Sequence, residues 1–124
     1  MPARRRVDPA AGHDALEVCL AAADLTEVPR PVVATAVRYA LEELAARHPG
    51  RSVEVRVPPF GAVQCVEGPM HKRGTPPNVL ETDAATWIGL VSGRLEWAAA
   101  RGSGSVRASG LRADLGAILP LTPL

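Results

Sequence analysis

A chain of 124 residues is long enough to bury one core without metal or disulfide staples. An apolar fraction of 47% and a charged fraction of 22% exclude wholesale disorder, and a formal net charge of +1 gives no global electrostatic case for nucleic acid. No stretch approaches the roughly 20 apolar residues that cross a bilayer, so stable membrane insertion is not expected.

The one dense basic cluster is Arg4, Arg5 and Arg6. Residues 1–7 are expected to form a disordered basic N-terminus ahead of a single domain over residues 8–124. Pro9, Gly12, His13 and Asp14 interrupt any apolar run behind those arginines, so no signal peptide is expected. Beyond Pro9, Leu16, Cys19, Leu20 and Ala23 recur at helical spacing, and "TEVPRP" breaks that pattern. The clearest helix covers residues 31–48. Val33, Val37, Ala40, Leu41 and Leu44 make its apolar stripe, while Arg38, Glu42, Glu43 and Arg47 fall largely on the other side. "HPG" stops it.

The period then changes from helical to alternating. Val53, Val55 and Val57 face one way, with Glu54 and Arg56 the other, as in a strand with one wet face. Residues 58–61 turn the chain, and "AVQCVEG" returns it with Val63 and Cys65 on one face and Gln64 and Val66 on the opposite one. "PMHKRGTPP" reads as a breaker-rich loop and "NVLETD" as a third strand. Asp83 stands where an N-cap belongs, and Gly93 where the helix after it ends. A second short helix over "RLEWAAARG", a fourth strand over "SVRASG" and a closing helix over "LRADLGAIL" complete the order. In that last helix Leu111, Leu115, Ile118 and Leu119 follow the i, i+4, i+7, i+8 rule. Strands with helices able to cover one face indicate an α+β fold.

The run "QCVEGPMHKRGTPPN" carries the densest chemistry, but no reaction emerges from it. A cysteine nucleophile needs a base in reach, and the spacing of Cys65 and His71 does not bring them together. His13, His48 and His71 are scattered without metal-ligand spacing, so no metal and no cofactor are expected. Glu67 and Glu81 flank the loop, where solvated acids are the ordinary case, and neither a P-loop nor GxSxG is present. No catalytic residue is assigned, and the chain is expected not to be an enzyme. Cys19 and Cys65 make neither CxxC nor a disulfide framework, which points to a reduced, cytoplasmic protein.

Residues 78–119, "NVLETDAATWIGLVSGRLEWAAARGSGSVRASGLRADLGAIL", carry an ordered set of marks at Asp83, Gly93, Gly104 and Gly110. In layout this stretch resembles the sterol carrier protein-2 (SCP2) family, most closely its short stand-alone bacterial members. The resemblance implies a mostly antiparallel sheet of four to five strands covered on one side by helices. It also implies carriage of an apolar ligand, a sterol, fatty acyl chain or similar lipid, in a tunnel between sheet and helices. The candidate lining is Phe60, Trp87, Leu90, Val91, Leu95, Trp97, Ile118, Leu119 and Leu121. The same stripe suits a packed core, and the residues leave both readings open. Two departures from the family stand out. The "PMHKRGTPP" loop occupies the place of a fifth strand, and the segment after Leu119 is short. The alternative is a ligand-free homodimerisation or partner-binding module, related to the accessory domain of thiol-dependent isomerases.

Overall fold

The computed structural model describes residues 5–68, 78–110 and 113–124. In chain order the elements are α1 (Pro9–Ala21), a 3-10 turn (Leu25–Glu27), α2 (Arg30–Arg47), β1 (Val53–Val57), β2 (Gly61–Cys65), β3 (Asn78–Thr82), α3 (Ala84–Ser92), α4 (Trp97–Ser103) and β4 (Val106–Ser109).

Each of the first two α-helices begins where local chemistry favours it. Asp8 accepts a hydrogen bond from the Ala11 amide at 3.2 Å and Pro9 supplies a preset φ, so α1 starts at once. Pro29 and Pro31 bracket the start of α2, and Pro49 bars its continuation. Helix α1 then crosses α2 very closely. A side chain at Gly12 would put its Cβ 2.4 Å from the Tyr39 ring, so only glycine lets the two backbones approach this far.

The sequence-derived stripe on α2 is buried, and so are Ala36, Tyr39 and Glu43, because α1 covers a second side of the helix. Burial of Glu43 differs from its expected outward placement. Its carboxylate is paired with Arg5 Nη2 at 2.7 Å and Arg47 Nε at 2.9 Å, which satisfies the charge that burial would otherwise leave bare. Next to it, the backbone amides of Arg6 and Val7 donate to the Glu42 carboxylate.

Four strands form one sheet in the order β2-β1-β3-β4. The β1–β2 hairpin and the β3–β4 pair are antiparallel, and β1 runs parallel to β3, so the fold is α+β with a mostly antiparallel, open sheet. Register puts Val63, Val55, Leu80 and Ala108 in one row facing the helices. The row Ala62, Arg56, Glu81 and Arg107 faces away, with opposite charges on neighbouring strands. Trp87 of α3 is fully buried in the core, its Nε1 donating to the Val37 carbonyl of α2 at 3.4 Å.

The expected closing helix is not formed by residues 113–119, which contain a single turn; Leu111 and Arg112 lie outside the described residues. Local chemistry explains the outcome. Asp114 Oδ1 accepts from the Gly116 amide at 2.8 Å, an Asx-type bond that competes with helix propagation. Gly116 lies against the Trp97 ring, and Pro120 ends what remains of the turn. The amides of Ile118 and Leu119 bond to the Leu115 carbonyl, and the chain then extends to bury Leu121.

Candidate functional site

Helix α3 ends at Gly93, whose φ of 87° lies in the left-handed region that a side chain resists. This reversal folds residues 94–96 back along the helix, and the Leu95 amide bonds to the Gly89 carbonyl at 3.1 Å. Trp97 then opens α4, half-buried, with the Arg101 guanidinium 5.9 Å from its ring centroid. Opposite it comes the closing segment, where Gly116, Leu119 and Pro120 supply the facing wall.

These three pieces line a half-open cavity of about 430 Å³, with Leu90, Leu95, Trp97 and Leu119 in its wall and Glu96 as its charged wall residue. That volume falls within the roughly 300–1,000 Å³ of small-molecule sites. Leu90, only 1% exposed, belongs both to the wall of this cavity and to the main core.

The structure therefore brings Leu90, Leu95, Trp97 and Leu119 together. Trp87, Val91 and Leu121 are core residues, each 2% exposed or less, and Ile118 is partly buried against that core. Phe60 sits elsewhere, at the β1–β2 turn, with Arg30 stacked 5.5 Å from its ring centroid and Arg38 Nε donating to its carbonyl. There it lines a hollow of about 330 Å³ with Arg6, Arg38 and Glu42, and a wide, shallow groove of about 860 Å³ with Val28, Val33 and Ala84. Gly93, Gly116 and Pro120 complete the lining beyond the large apolar residues that the sequence singles out. Gly93 was legible as a helix end, but nothing local says that Gly116 will stand across from it.

Groups for covalent or metal chemistry do not gather here. Cys65 is fully buried in β2, and burial pushes its thiol up to about 12, far from a thiolate at neutral pH. His71 and the rest of the "PMHKRGTPP" run lie outside the described residues. Among the described residues no group of His, Cys, Asp and Glu could hold a metal ion, and no helix is long and apolar enough to cross a membrane.

A family model described as "Bacterial SCP ortholog" matches residues 29–121. The chain belongs to that family. The match runs from the start of α2 through the closing segment, so it takes in every wall of the cavity between α3, α4 and residues 116–120. No curated protein matches the sequence.

Proposed function

We propose that the protein binds and carries an apolar small molecule, a fatty acyl chain, sterol or similar lipid, taken up at the cavity between α3, α4 and residues 116–120. The observation that carries this reading is the cavity wall. Leu90, Leu95, Trp97 and Leu119 converge from three elements, with Glu96 and the Arg101-backed face of Trp97 as nearby polar features. Membership of a carrier-type family supports the same reading. Such a site needs no catalytic group, only concave apolar surface and a polar mouth. Roughly 200 Å² of ligand surface removed from water would contribute about 5 kcal/mol before association costs.

The test is lipid extraction and mass spectrometry of the purified protein, with titration of the fluorescent fatty acid cis-parinaric acid. Saturable micromolar uptake with a change in Trp97 emission is the expected result; neither bound lipid nor uptake would overturn the reading. A second reading, a ligand-free dimerisation module, is favoured by one feature. Trp87, Val91 and Leu121 fill the space between sheet and helices that a long tunnel would use. It predicts a concentration-dependent dimer in sedimentation equilibrium and no uptake of the probe.

A further inference from the structure

Three arginines gather around one aromatic ring at the β2 edge of the sheet. Phe60, at the β1–β2 turn, meets two of them on α2. Arg30 stacks 5.5 Å from its ring centroid, and Arg38, further along the helix, donates from Nε to its carbonyl at 2.8 Å. Beside the ring lies the hollow of about 330 Å³, with Arg6, Arg38, Leu41, Glu42 and Val63 in its wall. Arg6 is held there by backbone, because its amide and that of Val7 donate to the Glu42 carboxylate at 3.1 Å. The guanidinium groups of Arg5, Arg47 and Arg56 each pair with a glutamate. Those of Arg6, Arg30 and Arg38 have no carboxylate partner among the described residues.

The apolar part of the hollow has an equally local cause. Val63 stands in the row that faces the helices, in register with Val55, but β2 is the end strand of the sheet. Val55 is fully buried, whereas Val63 and Phe60 stay part-exposed at that end, beside the buried Leu41. Arg38 spends Nε on the Phe60 carbonyl, which leaves Nη1 and Nη2 without a protein partner among the described residues. Such a guanidinium edge offers parallel N–H donors that match two oxygens of a carboxylate or phosphoester. Glu42 is the one carboxylate in the wall, and the two guanidinium groups beside it leave an excess of positive charge. We propose that this hollow binds a small organic anion, a carboxylate or phosphoester on a short apolar body. Arg38 and Arg6 hold the oxyanion, and Phe60, Leu41 and Val63 hold the body. A volume of about 330 Å³ is at the small end of ligand sites, which suits a single ring or short chain rather than a sterol. The hollow shares no residue with the α3–α4 cavity, and Arg6 lies outside the residues that the family model matches. The proposal therefore stands apart from the apolar-ligand reading.

The experiment titrates the full chain with phenylacetate, with phenyl phosphate and, as the uncharged control, with benzyl alcohol, and follows backbone amide shifts by NMR. At least one anion should shift Gly61, Ala62 and Val63 saturably with a Kd of about 5 mM or tighter, and the alcohol should bind about tenfold or more weakly. A preference for phenylacetate assigns a carboxylate, and a preference for phenyl phosphate a phosphoester; either supports the site. Arg38→Gln should weaken the preferred anion about fivefold or more, and Arg38→Lys, which keeps the charge and loses the fork, by less. Arg6→Gln should weaken it about twofold. The Arg6 contacts to Glu42 run through its backbone, so this variant keeps the test decisive should Arg38→Gln disturb the turn. Arg107→Gln, on the outward face of the sheet, should leave affinity unchanged and so exclude a general charge effect. Equal binding of the alcohol and the anions would overturn the anion assignment. Shifts confined to Leu95 and Glu96 would place the anion in the α3–α4 cavity, overturning this site while the apolar-ligand reading stands. No shift at Gly61, Ala62 and Val63 up to about 50 mM, or unaltered affinity in both Arg38→Gln and Arg6→Gln, would overturn the proposal as well.

Discussion

Helix α2 and residues 113–124 both deliver leucines to the same core, by different means. In α2 the backbone satisfies its own hydrogen bonds, and Val37, Leu41 and Leu44 repeat at helical spacing until each is 1% exposed or less. In residues 113–124 the leucines that reach the core, Leu115 and Leu121, are set by one turn, one amide bond to α3 and two donations from Arg47. Hollows lie beside both: one of about 330 Å³ at the Arg38–Glu42 flank of α2, and one of about 430 Å³ against Leu119 and Pro120. Because α2 carries its own backbone bonds and the closing segment does not, the α1–α2–sheet side is expected to be the rigid part of the domain and the α3–α4–closing side the adaptable one.

The comparison is sharpened most by Trp87→Ala. This side chain is fully buried in the core beside α2, so its removal should cost about 3–5 kcal/mol of unfolding free energy, read from urea denaturation. A cost near 1 kcal/mol would mean that the layers relax easily around the gap, and that the packed side is no more rigid than the other.

Cys65 offers a second probe of the packed side, through pH. Burial holds its thiol proton up to about 12, against an ordinary value of 9.0. Below pH 9 the folded and unfolded chains both keep the proton, and stability is indifferent to it. Above that, the unfolded chain ionises while the folded one does not, so stability falls as pH rises from 9 toward 12. Urea midpoints at pH 8 and pH 10 should differ in that direction, and Cys65→Ala should flatten the slope. An unaltered slope in Cys65→Ala would assign the alkaline loss to other groups.

A smaller effect is expected at the join between the two sides. Asp83 caps α3 by accepting from the Thr86 amide at 2.8 Å, and Asp83→Ala should cost about 1 kcal/mol. Asp83→Asn, which retains an acceptor, should recover most of that loss. If it does not, the carboxylate charge rather than the cap bond matters at this helix start.

Much of the fold was legible wherever period and punctuation agreed. Asp8, Pro9, Pro31 and Pro49 mark helix ends by chemistry that acts within a few residues, and the Val53–Val55–Val57 alternation sets its own face. The parallel partnership of β1 and β3 has no such local mark, because it depends on where the chain returns after β2. Leu111, Leu115, Ile118 and Leu119 suggested a helix by spacing alone, yet Asp114 and Gly116 decide the backbone there through an Asx-type bond and contact with Trp97. The candidate site was half legible for the same reason. Its large apolar residues, Leu90, Leu95 and Trp97, stand out in the sequence, while Gly93, Gly116 and Pro120 become a wall only by meeting in space. Likewise Glu43 looked solvated until α1 and Arg5 covered it.

The smallest effect on stability, and the sharpest for the adaptable side, is expected from Trp97→Phe. Trp97 is half-buried at the mouth of the cavity, and phenylalanine keeps an apolar ring against Leu95 and Leu119, so unfolding free energy should change by about 0.5 kcal/mol. Trp87 is then the remaining tryptophan, shielded in the core. Emission from the wild type should shift on adding cis-parinaric acid, and emission from Trp97→Phe should stay nearly constant until the protein unfolds. A shift that persists in the variant would move the ligand away from the α3–α4 cavity and toward Trp87, into the packed interior. In that case the side that fixes the fold would also be the side that opens.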